Sequence, residues 1–114
     1  MSKIWIIVAC VFVVALVLRS RASASSKVTA KEKIKQGALV LDVRTTGEYQ
    51  DDHYQGAVNI PVQELEARLS ELKDRKRAIV VHCASGVRSA RAVKILTSAG
   101  FLDVTDAGGL AGLR

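Results

Sequence analysis

Ala78 to Leu96 reads AIVVHCASGVRSARAVKIL, and this stretch decides the fold. Ala78 to His82 is an apolar run without alternation, as expected of a strand buried on both faces. Beyond Arg88 the period changes to that of a helix, with Ala92, Val93, Leu96 and Ala99 on one side. Between them lies a short loop, Cys83 to Val87. A buried strand that feeds a helix through a short loop is half of a parallel βαβ unit.

The same alternation runs outward from this core. Thr29-Ala30-Lys31-Glu32 has the form of a capping box, and Gly37 makes a stop, so residues 30–36 are expected to be a short helix. Residues 38–43 (ALVLDV) read as a buried strand. Residues 44–55 are polar and turn-rich, with one helical turn expected at 47–51. A second short strand is expected at 57–60, stopped by Pro61. Leu65, Leu69 and Leu72 recur at i, i+4, i+7, which predicts an amphipathic helix over 63–73. Gly100 with Phe101 behind it suits a helix cap, and residues 102–105 read as the final strand, before Ala107-Gly108-Gly109-Leu110. Strands alternating with helices predict an α/β domain with an open, mainly parallel central sheet flanked by helices. In such sheets ligands bind at the carboxyl ends of the strands, where Cys83 lies.

Ahead of the domain, Ile4 to Leu18 (IWIIVACVFVVALVL) is uninterrupted apolar sequence, expected as an N-terminal apolar helix. As a helix rising ~1.5 Å per residue it spans ~22 Å, short of the ~30 Å hydrocarbon core. Lys3 and Arg19, which can snorkel, extend its reach, and Trp5 suits the interface. The rival is a secretory signal with an A-x-A site at Ala22-Ser23-Ala24, which would leave the domain periplasmic. Arg19 and Arg21 stand against cleavage, because the region before a cut is normally neutral. Lys and Arg are denser after the segment than before it, so the expected membrane orientation leaves the domain in the cytoplasm. The chain is thus divided into a transmembrane anchor or uncleaved signal segment (1–20), a small polar linker (21–27) and a folded domain (28–114).

The net charge is +6. Its concentration just after the apolar run fits anionic lipid headgroups. With no aromatic residues interleaved, nucleic-acid binding is not expected. No metal-ligand cluster and no glycine-rich nucleotide loop is visible, and no cofactor is expected.

Only Cys10 and Cys83 occur, too distant in character for a disulfide framework, so Cys83 is expected to be free and available for chemistry. On a loop between a strand end and a helix start it meets converging N–H groups and the positive end of the helix dipole. Both favour the thiolate, which is the nucleophile. A free cysteine is often plain core, and a sulfur sealed from solvent would defeat the sulfur-handling reading. Its place before Ala84-Ser85-Gly86 argues for reactivity.

Four features in order and spacing resemble a single-domain rhodanese of the thiosulfate sulfurtransferase family, with anchored or exported bacterial forms the most similar. They are Leu41-Asp42-Val43-Arg44, Glu48-Tyr49, the run from His53 to Pro61 (HYQGAVNIP), and Cys83 to Ser89 (CASGVRS). Ala107 to Leu110 agrees as well. The likeness covers about Val28 to Leu110. Two departures stand out. The chain stops at Arg114, where such domains often continue to a tryptophan and a last helix, so a less well packed C-terminal edge is expected. Asp51-Asp52 replaces a usual glycine.

The resemblance implies ping-pong sulfur transfer: Cys83 takes the outer sulfur of a small anionic donor such as thiosulfate and passes it to a thiol or to cyanide. Ala84, Ser85, Gly86 and Val87 would supply the anion-binding loop, and Arg88 would point at the bound sulfonate or persulfide. Asp42 and Arg44 are expected to brace the loop, with Arg44 pairing with Glu48 or Asp51. Arg91 and Lys94 read as a solvated helix face. His82 is sent by strand alternation away from Cys83, and His53 reads as a loop-packing residue. Two rivals remain: a membrane-tethered persulfide carrier or docking module without significant turnover, and a cysteine-dependent phosphatase. The second is disfavoured, since a phosphate-cradling loop needs one residue more than the four between Cys83 and Arg88.

Overall fold

The structure, a computed structural model, describes residues 29–114. The apolar segment 4–18 and the linker lie outside the described residues. Among the described residues no helix is long and apolar enough to cross a membrane.

Four strands, β1 (Leu39–Asp42), β2 (Val58–Asn59), β3 (Ile79–Cys83) and β4 (Val104–Gly109), form one sheet in the order β2-β1-β3-β4. Every neighbouring pair is parallel. The expected open parallel sheet flanked by helices is the observed one. β3 is central and buried throughout, which is why its sequence lacks a polar alternation.

Strand alternation splits the core in two. Leu41, Ile79, Val81 and Cys83 face one side, where Ile60, Leu65, Leu72, Ala92, Leu96 and Phe101 cover them. Val40 and Val80 face the other, under Ala30, Ala57, Ala107 and Leu113. Each Leu, Ile or Val buried here stabilises the fold by about 1.5–3 kcal/mol.

Helix α1 occupies 29–35 of the described residues. The helix is described only from Thr29, where the capping box is expected, onward. Its end is as expected: Gly37 adopts φ +96, and Ala38 N–H donates to Lys33 O while Gly37 N–H donates to Ile34 O, a Schellman closure. Helix α3 (Val87–Ser98) ends likewise, with Gly100 at φ +94 and Phe101 N–H donating to Leu96 O at 3.1 Å. Helix α2 (Thr46–Asp51) opens on a capping box formed by Thr45 and Glu48.

Three expectations are corrected. Residues 63–73 are not an α-helix but two 3-10 segments, Val62–Glu64 and Glu66–Leu72. The cause is visible in the spacing: Val62 and Leu65, then Leu69 and Leu72, are pairs three apart, which a 3-10 turn places on one side. The kink between the pairs sits at Arg68 (φ −117), whose guanidinium is held by Glu71 at 2.7 Å and Glu64 at 3.4 Å. The last strand is not 102–105 but runs through the glycine pair to Gly109. The chain end is well packed: Leu113, on a 3-10 turn at Leu110–Leu113, is buried, and Arg114 pairs with Asp52.

Candidate active site

Cys83 is the last residue of β3, and Gly86, at φ +99, is the residue before α3. That backbone conformation is open to glycine and strained for other residues. It folds the loop back so that the Gly86 N–H donates to the Cys83 Sγ at 2.9 Å. Below the loop, Ser89 on the first turn of α3 is fully buried. Its Oγ lies 3.6 Å from Sγ and 3.0 Å from Gly86 O.

Burial pushes the Cys83 thiol up. The Ser89 hydroxyl and the backbone N–H groups of Ser89, Gly86 and Ser85 more than offset it, leaving the thiol below its ordinary value. The arrangement therefore stabilises a sulfur anion at a strand-to-helix junction. Cys83 is a free thiol, but it is not open: its exposure is 0%. The expected availability is thus corrected. Ala84, Ser85 and Val87 face solvent while the sulfur lies beneath them.

The glycine pair of β4 explains how the loop approaches so closely. Between Val81 and His82 the β3–β4 register slips, so that Asp106 pairs with Val81 and Gly108 with His82, leaving Ala107 as a bulge. Gly108 takes φ +74, and its N–H is held by Asp106 at 2.9 Å. The bulge turns Gly109 towards the loop. A Cβ there would stand 2.6 Å from Ala84 O, so only a hydrogen fits.

Asp42 ends β1 and Arg44 follows it, at the same end of the sheet. Asp42 Oδ1 accepts from the Arg44 backbone N–H at 2.9 Å and from Nε at 3.0 Å; Oδ2 accepts from Nη2 at 2.8 Å. Arg44 Nη2 also donates to Asp52 O at 2.6 Å. Arg44 therefore pairs with Asp42, not with Glu48 or Asp51 as expected, because the tight turn after β1 brings the two side chains together. The pair is buried, with side-chain exposures of 8% and 0%. Asn59 ties the turn to β2 by donating to Asp42 O and Arg44 O, both at 3.0 Å.

The Arg88 guanidinium pairs end-on with Glu48, at 2.6 and 3.1 Å. Arg91 and Lys94 are exposed on α3. His82 points to the face opposite Cys83, fully buried, with Nε2 3.8 Å from Asp42 and no hydrogen bond. His53 stacks on Tyr49 at 3.9 Å.

Two residues of the site escape the sequence reading, and a third, Glu48, is read as a partner of Arg44 and not of Arg88; the pattern Thr45-Thr46-Gly47-Glu48 signals its capping box. Ser89 reads as a helix residue, and Gly109 as a turn. Among the described residues no cluster of three or more acidic, histidine or cysteine side chains can hold a metal.

Residues 26–112 match the Rhodanese-like domain family. The chain belongs to that family. The rhodanese-like domain is 39% identical over 71 residues to thiosulfate sulfurtransferase PspE of Escherichia coli (strain K12), covering 61% of this chain and 68% of that protein. It is 36% identical to thiosulfate sulfurtransferase 18 of Arabidopsis thaliana, covering 70% of this chain and 68% of that one. Among solved structures, a rhodanese with anions from E. coli superposes with a TM-score of 0.63 at 36% identity, covering 67% of this chain and 91% of that chain. These relatives place the rhodanese-like domain among the sulfurtransferases.

Proposed function

We propose that the chain carries a sulfane sulfur from a small anionic donor such as thiosulfate to a thiol or cyanide acceptor, through a persulfide on Cys83. One observation carries the reading: a thiol whose charge is favoured by the Ser89 hydroxyl and by loop N–H groups, at the carboxyl end of the central strand. The Cys83 thiolate attacks the outer sulfur of thiosulfate. A Cys83 S–S bond forms, the donor S–S bond breaks, and sulfite leaves with the electron pair. The acceptor then attacks the outer persulfide sulfur and leaves with it, as thiocyanate from cyanide, and the Cys83 thiolate returns.

In this reading the N–H groups of Ala84, Ser85, Gly86 and Val87 hold the anion and the persulfide. Arg88 adds charge at the loop's outer end, and Asp42 with Arg44 keeps the neighbouring turn rigid. Because Cys83 is covered, the loop must open for the donor. A persulfide, longer by an S–S bond of about 2.05 Å, carries its outer sulfur towards the acceptor. A loop too small for phosphate favours sulfur over phosphoryl chemistry. The apolar segment 4–18 supports a retained membrane anchor with the domain in the cytoplasm, since the basic residues follow it. N-terminal sequencing of the mature protein checks this, and a chain beginning at Ser25 would refute it.

The sealed sulfur also favours a second reading, a tethered persulfide carrier that loads readily and releases slowly. Mass spectrometry after thiosulfate exposure tests the first step: Cys83 gains one sulfur (about 32 Da) in the wild type, and the Cys83→Ser protein gains none. Absence of the gain overturns both readings. Loading followed by slow release to every thiol tested and to cyanide selects the carrier.

A further inference from the structure

The one cation of the candidate loop and the first turn of α3 is already engaged. Arg88 is the single positively charged side chain between Cys83 and Ala90, and both its terminal nitrogens are taken by Glu48. Glu48 is itself held from behind. Its Oε1 also accepts from the Thr45 N–H at 3.2 Å and the Thr45 hydroxyl at 3.1 Å. The capping box therefore fixes the carboxylate to the start of α2, so it does not follow Arg88 if the guanidinium swings towards the loop mouth. At the same end Arg44 is spent on Asp42, and Arg114 on Asp52. Paired with Arg88, Glu48 has its carboxyl lowered from 4.5 to about 2, so it is ionised throughout the working range. With each guanidinium matched to a carboxylate, the thiolate leaves this end of the sheet with a net negative charge.

We propose that Glu48 sets donor specificity by charge, biasing the site against dianionic thiosulfate and towards donors with one negative charge fewer, such as thiosulfonates or organic persulfides. A dianion gains Arg88 only by displacing a carboxylate that stays nearby and repels it. A monoanion meets about half that repulsion. Glu48 touches neither the sulfur nor the donor. It acts through Arg88, as a specificity-determining residue.

The inference rests on the sulfur-transfer reading, and the test separates the two. Turnover to cyanide is measured with thiosulfate and with methanethiosulfonate, which surrender the same outer sulfur and release sulfite or methanesulfinate. Glu48→Gln keeps the capping hydrogen bonds and removes the charge; Glu48→Asp keeps the charge. The thiosulfate-to-methanethiosulfonate ratio of kcat/KM is expected to rise about fivefold in Glu48→Gln, through a lower thiosulfate KM. Thiosulfate kcat/KM should also fall more steeply with added salt in Glu48→Gln than in the wild type. Glu48→Asp should keep the ratio within about twofold of wild type. An unchanged ratio in Glu48→Gln overturns the proposal. So does a fall in thiosulfate kcat/KM, which would mean that Glu48 aims Arg88 at the anion. If instead the wild type transfers sulfur from neither donor and Cys83 gains no mass, the sulfur-transfer reading itself fails.

Discussion

The Ser89 Oγ lies 3.6 Å from the Cys83 Sγ and 3.0 Å from the Gly86 carbonyl oxygen, in a site with no exposed surface on either residue. One hydroxyl proton cannot serve both partners. With the thiol protonated, S–H donates to Oγ and the hydroxyl donates to Gly86 O. When the thiol ionises, the hydroxyl proton turns to Sγ. Ser89 thus adapts to the charge of Cys83 without moving its heavy atoms.

Ser89→Ala removes that donor and leaves the backbone N–H groups in place. The Cys83 thiol is expected to rise, and alkylation by iodoacetamide at pH 7 to slow about tenfold, the loss of one charge-assisted hydrogen bond. A pH profile of alkylation checks this. The acid limb should move to higher pH in the variant, with unchanged circular dichroism.

Gly109→Ala tests the close approach of β4 to the loop. A methyl group 2.6 Å from Ala84 O has no room, and the obstacle is backbone, which cannot rotate away. The loop must shift, at about 1–3 kcal/mol. Thermal unfolding should show that loss, and sulfur loading of Cys83 should slow. Gly47→Ala, where nothing lies within 4 Å of the added Cβ, should do neither.

Asp42→Ala leaves the Arg44 guanidinium buried without its carboxylate. Removing one member of a buried pair costs about 3–5 kcal/mol, a large share of the stability of a domain this size. Urea unfolding should report it. An effect below about 1 kcal/mol would show that the pair contributes little to holding the turn between β1 and α2.

His82 makes stability depend on pH. Burial lowers its value from the ordinary 6.5, against the opposing pull of Asp42. Below that ordinary value the unfolded chain binds a proton that the folded chain resists, so unfolding takes up protons and stability rises with pH. The contribution is intact above 6.5 and is lost as pH falls through the lowered folded value. Melting temperatures from pH 8 to pH 5 should decline at the acid end, and His82→Leu should flatten that decline. The Glu48–Arg88 pair acts in a separate window, its stabilisation disappearing only as pH falls from 4.5 through about 2.

The order of elements was legible in the chain because it rests on local facts. Residues 38–43 and 78–82 are apolar on both faces, and that pattern alone specifies buried parallel strands. Gly37 and Gly100 mark helix ends because their positive φ suits no other residue as well. Cys83 stood out because a strand, a glycine loop and a helix start are neighbours in sequence. The 3-10 path of Val62 to Leu72 was misread because leucines three and four apart satisfy either period until the sheet beneath selects one.

Local sequence is enough to specify the open parallel sheet, the position of Cys83 and the loop that surrounds it, since each follows from residues a few positions apart. That Arg88 meets Glu48, that Arg44 reaches Asp52 and that Gly109 gives Ala84 room depend on elements brought together by the fold. Charges choose partners by distance in space, and a side chain can pair with whichever opposite charge the packed strands bring within reach. Only the assembled sheet sets those distances, so the electrostatics of the site are a property of the fold.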